Sequence, residues 1–386
     1  VAERAPHAGG ESHRRDQSAV TTGPLDLLWA GSINGMEQAL VERADIAFHG
    51  IDTGKLRGMD VATMLRSMGK IISGVRQSLA ILNKFRPHVC FVTGGYVCAP
   101  VVLACWIRHI PVLIYLPDIV PGLAIRGLSK LAARVAISFA QTAVYFGGEA
   151  PHGKAVVTGY PVRPALIEAT GGGQLDAAAH AQNRAVVRRQ LAGRLQRPLA
   201  DVERDGTMRP LILVWGGSQG SRTINQATWG ALPHLLPEAH ILHVVGQRDW
   251  PLLTEQQQTQ PVALEWLHRY HPVAYLHEEM IPALVAADLT VARAGASSLG
   301  EFPIARLPAV LAPLAGVNQW QNAELLANQG GAVIVQDAEL SEQLAPTLLA
   351  LLHDSAKRLA METSLADLAR PEAALNIARE LYRMTR

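Results

Sequence analysis

Along this chain, short runs of consecutive apolar residues alternate with longer stretches whose apolar positions recur every three or four residues. The runs are of strand length and bounded by Gly, Pro, Asn or Asp, as in parallel strands buried on both faces. The longer stretches have helical periodicity. The clearest run is LILVW (211–215). It passes through GGSQGS (216–221) into a helix expected over 222–236. Strands are then expected over 240–245, 273–276 and 289–292, with helices around 251–258 and over 279–286. The loop RAGASS leads into the helix LGEFPIARL, then the strand PAVLAP, the loop LAGVNQ, the helix WQNAELLANQG, the strand GAVIVQ and helices to the end.

The first half alternates in the same way. LDLLWAG (25–31) and AFHGI read as strands flanking the helical NGMEQALVERADI. Residues 61–85 form a long amphipathic pattern, and VCFV runs through Thr93, Gly94, Gly95 and Tyr96 into an apolar helix. IPVLIYLPDIVPG is another strand, LSKLAARVAISF a basic helix and a strand, and KAVVTGYPVRPAL a strand ending at a turn. Alternation in both halves predicts an α/β protein with two doubly wound, Rossmann-like parallel sheets facing a cleft. The division expected is a patternless, disordered or remnant segment over 1–24, a first domain over 25–165, a second over 166–370 and a C-terminal helix over 371–386 that packs back on the first domain. A hinge is placed near 163–170, and residues 170–208 read as an entry helix with a loose surface insertion.

Length alone favours two cores, since 386 residues exceed one ordinary domain. A hydrophobic content of 49% against 18% charged suits a well-buried protein rather than a disordered one. The net charge of +2 and the lack of a recognition motif argue against a nucleic-acid partner. Cys90, Cys98 and Cys105 lack zinc spacing and read as reduced thiols in a cytosolic core. VVLACWI and VAISFAQTAVYF fall short of the ~20 apolar residues that cross a bilayer, and no signal peptide is visible. Basic residues crowd positions 55–86 (Lys55, Arg57, Arg66, Lys70, Arg76, Lys84, Arg86) against Asp60 alone. Such a helix can lie on an anionic membrane face, or pack into the core with a solvated basic side.

The candidate chemistry lies at strand-to-helix junctions. Gly216–Ser221 offers backbone N–H groups and a helix start to an anion, with the Ser218 and Ser221 hydroxyls beside them; the alternative is a plain turn. RAGASSLGE repeats the arrangement facing the same crevice. Glu301 there either accepts ribose hydroxyls or closes an S-x-x-E capping box with Ser298. Gln319 and Asn322, with Asn318, offer amides to sugar hydroxyls or cap a helix. Arg163 can pair with a diphosphate or be a surface residue, and Asp118, between prolines, fits a turn. No metal, cofactor or acyl-nucleophile motif is present, so positioning and charge stabilisation of a phosphate leaving group are the expected chemistry.

GGSQGSRTIN, ARAGASSLGE, NQWQNAELLANQGGA, TGGYVCAPVVLA and GYPVR resemble the MurG family over roughly residues 25–380. That family comprises the UDP-N-acetylglucosamine:undecaprenyl-pyrophosphoryl-muramoyl-pentapeptide N-acetylglucosaminyltransferases of peptidoglycan synthesis. The resemblance implies a GT-B fold and inverting transfer of GlcNAc from UDP-GlcNAc to the 4-hydroxyl of the muramoyl lipid, forming lipid II. The enzyme is expected on the cytoplasmic face of the inner membrane, peripherally bound. Carried over, Ser218 and Arg163 match diphosphate-contacting positions, with Gln219 beside them. His277 matches the backbone position that reads uracil. Ala296, Ser297 and Ser298 match the donor loop, with Glu301 on the ribose, and Gln319 matches a sugar-contacting position. Thr93, Gly94, Gly95 and Tyr96 match a loop facing the acceptor diphosphate.

Three departures stand out. The family opens with a strand and a Gly-rich loop bearing a candidate base His. Nothing here matches it, and VAERA resembles the end of the following helix. The expectation is a truncated reading, with the first strand and the base upstream of Val1. The family's His-Glu-Gln-Asn strand end is Tyr115-Leu116-Pro117-Asp118 here, with Asp118 at a donor-contacting Asn. Val317-Asn318 replaces Asp-His before Gln319. Two other readings stay open: a GT-B enzyme with a different lipid acceptor, and a nucleotide-sugar-binding protein without turnover.

Overall fold

A computed structural model describes residues 25–33, 35, 37–51, 61–94, 97–173, 175–203, 206–217, 219–253, 263 and 265–386. The first lobe opens with β1 (Leu28–Ser32), α1 (Gln38–Arg43) and β2 (Ala47–Ile51), in which β1 and β2 pair in parallel. After α2 (Val61–Phe85) come β3 (Cys90–Val92), α3 (Cys98–Ile107), β4 (Val112–Leu116), α4 (Leu123–Leu128), β5 (Arg134–Ile137) and β6 (Ala155–Val157). Strands β3 to β6 form one parallel sheet in sequential order, separate among the described residues from the β1–β2 pair. LSKLAARVAISF needs a correction: the helix is α4, upstream of that stretch, and Ser129–Ala133 is the turn into β5. Gly122 supplies the extended backbone that starts α4, a boundary that the basic pattern around Lys130 concealed.

The second lobe begins with α5 (Pro164–Ala169) and α6 (Ala177–Leu195), the latter N-capped by Asp176, whose Oδ1 accepts from the Ala179 N–H at 2.8 Å. Then follow β7 (Leu211–Trp215), α7 (Arg222–Leu235), β8 (His240–Val244), β9 (Tyr270–Val273), α8 (Met280–Ala286), β10 (Leu289–Ala292), α9 (Ser298–Ala305), β11 (Ala309–Leu311), α10 (Gln319–Asn328), β12 (Ala332–Ile334), α11 (Leu340–His353), α12 (Ser355–Leu368) and α13 (Ala373–Met384). All pairings in this sheet are parallel, and the strand order is β12-β11-β10-β7-β8-β9. The order reverses at β7 and β10, so the crevice at their carboxyl ends is the place where such sheets bind ligands.

The apolar run of β7 is buried on both sides. Leu211 and Leu213 join Leu191, Leu284 and Phe302 in one core layer, while Ile212 and Val214 join Ile224, Leu232 and Leu348 in the other. The strand expected over 273–276 is instead β9, three residues earlier. It contains Pro272, which reads as a break but is tolerated because β9 is an edge strand. The helix expected around 251–258 falls mostly outside the described residues.

Little of the described part of 170–208 is loose. Val187, Leu191 and Leu199 enter the core, and Arg188, 2% exposed, reaches Asp288. Asp288 also takes Arg184 at 3.1 Å and the Leu211 N–H at 2.8 Å, which pins α6 to the start of β7. Desolvation pushes the part-buried Asp288 carboxyl up, but these cations outweigh it and hold its pKa below the ordinary value. The last helix, α13, crosses back to the first lobe. Ile377 packs on Leu113, Tyr115 and Ala136, and Asn376 donates to the Thr158 carbonyl at 3.3 Å.

Candidate active site

The crest of β7 is a strap of glycines closed against a helix start. A Cβ on Gly216 would lie 2.3 Å from the Ser221 nitrogen, and one on Gly220, at φ +75°, would lie 2.6 Å from the Val245 carbonyl oxygen. Only glycine lets the strap pass so close to α7 and to the loop after β8. Ser221 is the N-cap of α7, its Oγ accepting from the Ile224 N–H at 3.4 Å. Gln219 is exposed beside it, and Ser218 lies outside the described residues.

A buried network fixes the first turns of α7. Trp229 Nε1 donates to the Tyr270 hydroxyl at 3.0 Å, so that hydroxyl donates onward to His243 Nδ1, also at 3.0 Å. His243 Nε2 then donates to Asn225 Oδ1 at 3.0 Å, and Asn225 Nδ2 donates to the Val245 carbonyl at 2.9 Å and to Asp249 at 3.1 Å. This relay requires a neutral imidazole, and burial depresses the His243 pKa to about 3.

Beside it, β10 ends in Arg293–Ser297 and α9 begins. The register Trp215↔Ala292 puts this second loop next to the strap. Ala296 and Ser297 are partly exposed at its tip. The capping box does not form: Ser297 is the N-cap, and the Ser298 hydroxyl donates to the Gly295 carbonyl at 2.5 Å. The Glu301 side chain hydrogen-bonds the Ser297 side chain and meets Arg163 Nη2 at 3.0 Å. Burial raises the Glu301 pKa, and Arg163 opposes the shift. The Tyr160 ring lies against Gly300, where a Cβ would be 2.5 Å from Tyr160 Cδ1.

The two lobes also meet at the loop after β4. Asn322 Nδ2 donates to Asp118 Oδ1 at 2.9 Å and to the Ala294 carbonyl at 3.2 Å, while its Oδ1 accepts the Ile119 N–H at 3.1 Å. Asn318 Nδ2 donates to the Val120 carbonyl at 2.9 Å. These two amides therefore clasp the lobes together rather than cap α10, and Asp118 takes part in the clasp as an acceptor. Gln319 Oε1 accepts from the Leu314 N–H at 2.9 Å and holds the loop before α10.

His277 stands further along the crest, after β9. Its N–H donates to Glu279 at 3.2 Å and its ring stands edge-on to Tyr275 at 4.7 Å. Across the cleft, Thr93 is exposed and Gly94, at φ +114°, gives its carbonyl to the Cys98 thiol at 2.5 Å; Gly95 and Tyr96 lie outside the described residues. Sequence reasoning missed Arg293 and Asn225. Their one available signal was position, immediately after a strand and in the first turn of a helix. Among the described residues no group of three or more His, Cys, Asp or Glu is placed to hold a metal ion.

Comparison with known proteins fits this geometry. Models of the glycosyltransferase family 28 N-terminal and C-terminal domains match residues 20–137 and 211–377. A UDP-N-acetylglucosamine–N-acetylmuramyl-(pentapeptide) pyrophosphoryl-undecaprenol N-acetylglucosamine transferase of Roseiflexus sp. strain RS-1 is 37% identical, over 91% of this chain and 82% of its own. The chain belongs to the MurG family. A transferase of the same name from Salinibacter ruber is 34% identical over 92% of this chain and 87% of its own. The crystal structure of MurG from Acinetobacter baumannii, at 24% identity, superposes with a TM-score of 0.65 over 92% of this chain and 90% of that one. The UDP-GlcNAc 2-epimerase of Neisseria meningitidis, at 11% identity, gives 0.62 over 92% and 99%. These likenesses establish the GT-B arrangement of two parallel-sheet lobes about a cleft.

Proposed function

We propose that the crevice above β7 and β10 holds UDP-GlcNAc and that the protein transfers GlcNAc, with inversion, to the 4-hydroxyl of muramoyl-pentapeptide pyrophosphoryl-undecaprenol. The observation that carries this reading is the pair of glycine-bounded helix starts side by side where the strand order reverses, with Glu301 of the second paired to Arg163. The names of the family relatives support the choice of donor and acceptor.

In this reading the diphosphate rests on the N–H groups of 216–221, with Ser218 and Gln219 beside it. Arg163 leaves Glu301 for the phosphates, and Glu301 takes the ribose hydroxyls. The His277 N–H exchanges Glu279 for uracil, and Ala296–Ser298 with Gln319 border the sugar. Asp118 stays with the lobe clasp on the donor side. As the acceptor oxygen bonds to the sugar carbon it gives up its hydroxyl proton to water, while the bond to the β-phosphate oxygen breaks and its electron pair passes to UDP. The strap amides, the helix start and Arg163 stabilise that charge. Thr93–Tyr96 border the acceptor diphosphate. The test is incubation with radiolabelled UDP-GlcNAc and the muramoyl lipid. Labelled disaccharide lipid with equimolar UDP is expected, and UDP-GlcNAc binding without transfer would overturn the enzymatic reading.

We also propose a membrane-facing surface on the first lobe, supported by its exposed apolar and basic residues. Ile72, Trp106 and Ile107 are 60%, 56% and 49% exposed, and Arg76 and Lys84 of α2 and Arg108 after α3 are exposed too. No described helix is long and apolar enough to cross a membrane. Peripheral attachment by apolar insertion with basic support suits this surface. Co-sedimentation with anionic vesicles, lost on Trp106→Ser with Ile107→Ser, tests it.

A further inference from the structure

One guanidinium ties together the crest of the second sheet. Arg293 is the first residue after β10, and its side chain is 11% exposed. Nη2 donates to Ser221 Oγ at 2.7 Å and to Thr223 Oγ1 at 2.6 Å, both in the opening turn of α7. Nη1 donates to the Ala312 carbonyl at 2.9 Å, just beyond β11, and to Asp337, beyond β12. Thr223 Oγ1 in turn donates to Asp337 Oδ1 at 2.8 Å. The ends of β7, β10, β11 and β12 thus converge on one side chain.

The planar fork matters here. A guanidinium can donate in two directions at fixed angles, whereas an ammonium is a point charge on a flexible stem. The two hydroxyls it holds belong to the helix whose start closes the glycine strap. Its glycines leave the strap several backbone conformations of similar cost. Accurate placement of its N–H groups therefore depends on the anchored helix start beside it.

We infer that Arg293 is a positioning residue for the diphosphate: it locks the start of α7 to the crest of the sheet so that the strap amides meet the phosphates already aligned. This inference rests on the nucleotide reading above. Its test compares UDP with uridine, because a role confined to the phosphates changes one affinity and not the other.

UDP and uridine binding are measured on the full chain as wild type, Arg293→Lys and Thr223→Val, with thermal melts alongside. Arg293→Lys keeps the charge and removes the fork. Thr223→Val removes one anchoring hydroxyl at nearly constant shape and serves if the lysine variant fails to fold. The expected result is UDP affinity about tenfold weaker in Arg293→Lys and several-fold weaker in Thr223→Val, with uridine affinity unchanged. UDP affinity unchanged in both folded variants, or UDP and uridine weakened alike, would overturn the inference. A wild type that binds neither ligand would instead refute the underlying nucleotide reading, and the inference with it.

Discussion

Replacing Glu301 with Ala separates the two uses the cleft makes of this carboxylate. In the structure Glu301 pairs with Arg163 at 3.0 Å, its own side chain 10% exposed and that of Arg163 46% exposed. With one partner so open to water, the pair is screened, and its loss offsets at most about 1 kcal/mol of any effect on binding. A ribose hydroxyl bonded to a mostly buried carboxylate contributes about 1.5–3 kcal/mol. The difference leaves a net loss of about 0.5–3 kcal/mol, some 2- to 150-fold in the Kd for UDP. Calorimetric titration with UDP and with 2′,3′-dideoxy-UDP closes a cycle. The wild type should lose affinity when the hydroxyls are removed, and Glu301→Ala should lose almost nothing further. A variant that binds UDP as the wild type does, or that still discriminates fully between the two ligands, would refute the ribose role.

Three further outcomes follow from the packing. His240, His243 and His271 are buried, with pKa values depressed to about 3 from 6.5, so the fold favours the neutral rings. Stability should be complete above pH 6.5 and fall as pH drops from 6.5 toward 3, by about 1.4 kcal/mol for His243 alone one unit below 6.5; urea midpoints flat between pH 7 and 5 would contradict this. Asp288→Ala strands the buried Arg188 and orphans the Leu211 N–H, and should cost about 3–5 kcal/mol in urea unfolding of the second lobe. Gly300→Ala drives a methyl into the Tyr160 ring and should cost about 1–3 kcal/mol, largely recovered in the double variant with Tyr160→Ala, as a double-mutant cycle would show.

The repeating strand–helix pattern was legible because parallel strands buried on both faces leave continuous apolar runs, as LILVW does. The errors came from edges and turns. Pro272 masked β9, whose edge position tolerates it, and the basic stretch around Lys130 masked the turn after α4. The candidate residues were legible by position, since Gly-rich strand ends are where such sheets bind ligands. Their partners were not. Arg163 and Glu301 lie 138 residues apart, and Asp118 and Asn322 lie 204 apart. No local pattern encodes either contact. Ser298–Glu301 illustrates the ambiguity: its spacing fits a capping box, but the Ser298 hydroxyl turns back to Gly295. Arg293 went unread because an arginine after a strand looks like a surface residue until the sheet order brings Ser221, Thr223 and Asp337 around it.

The most direct test of the central claim is a crystal structure of this chain grown with UDP-GlcNAc. The diphosphate should lie within hydrogen-bond reach of the N–H groups of Gly216–Ser221, with the ribose on Glu301 and Arg163 turned to the phosphates. A nucleotide bound elsewhere, or an intact Arg163–Glu301 pair with UDP-GlcNAc seated in the cleft, would contradict the account.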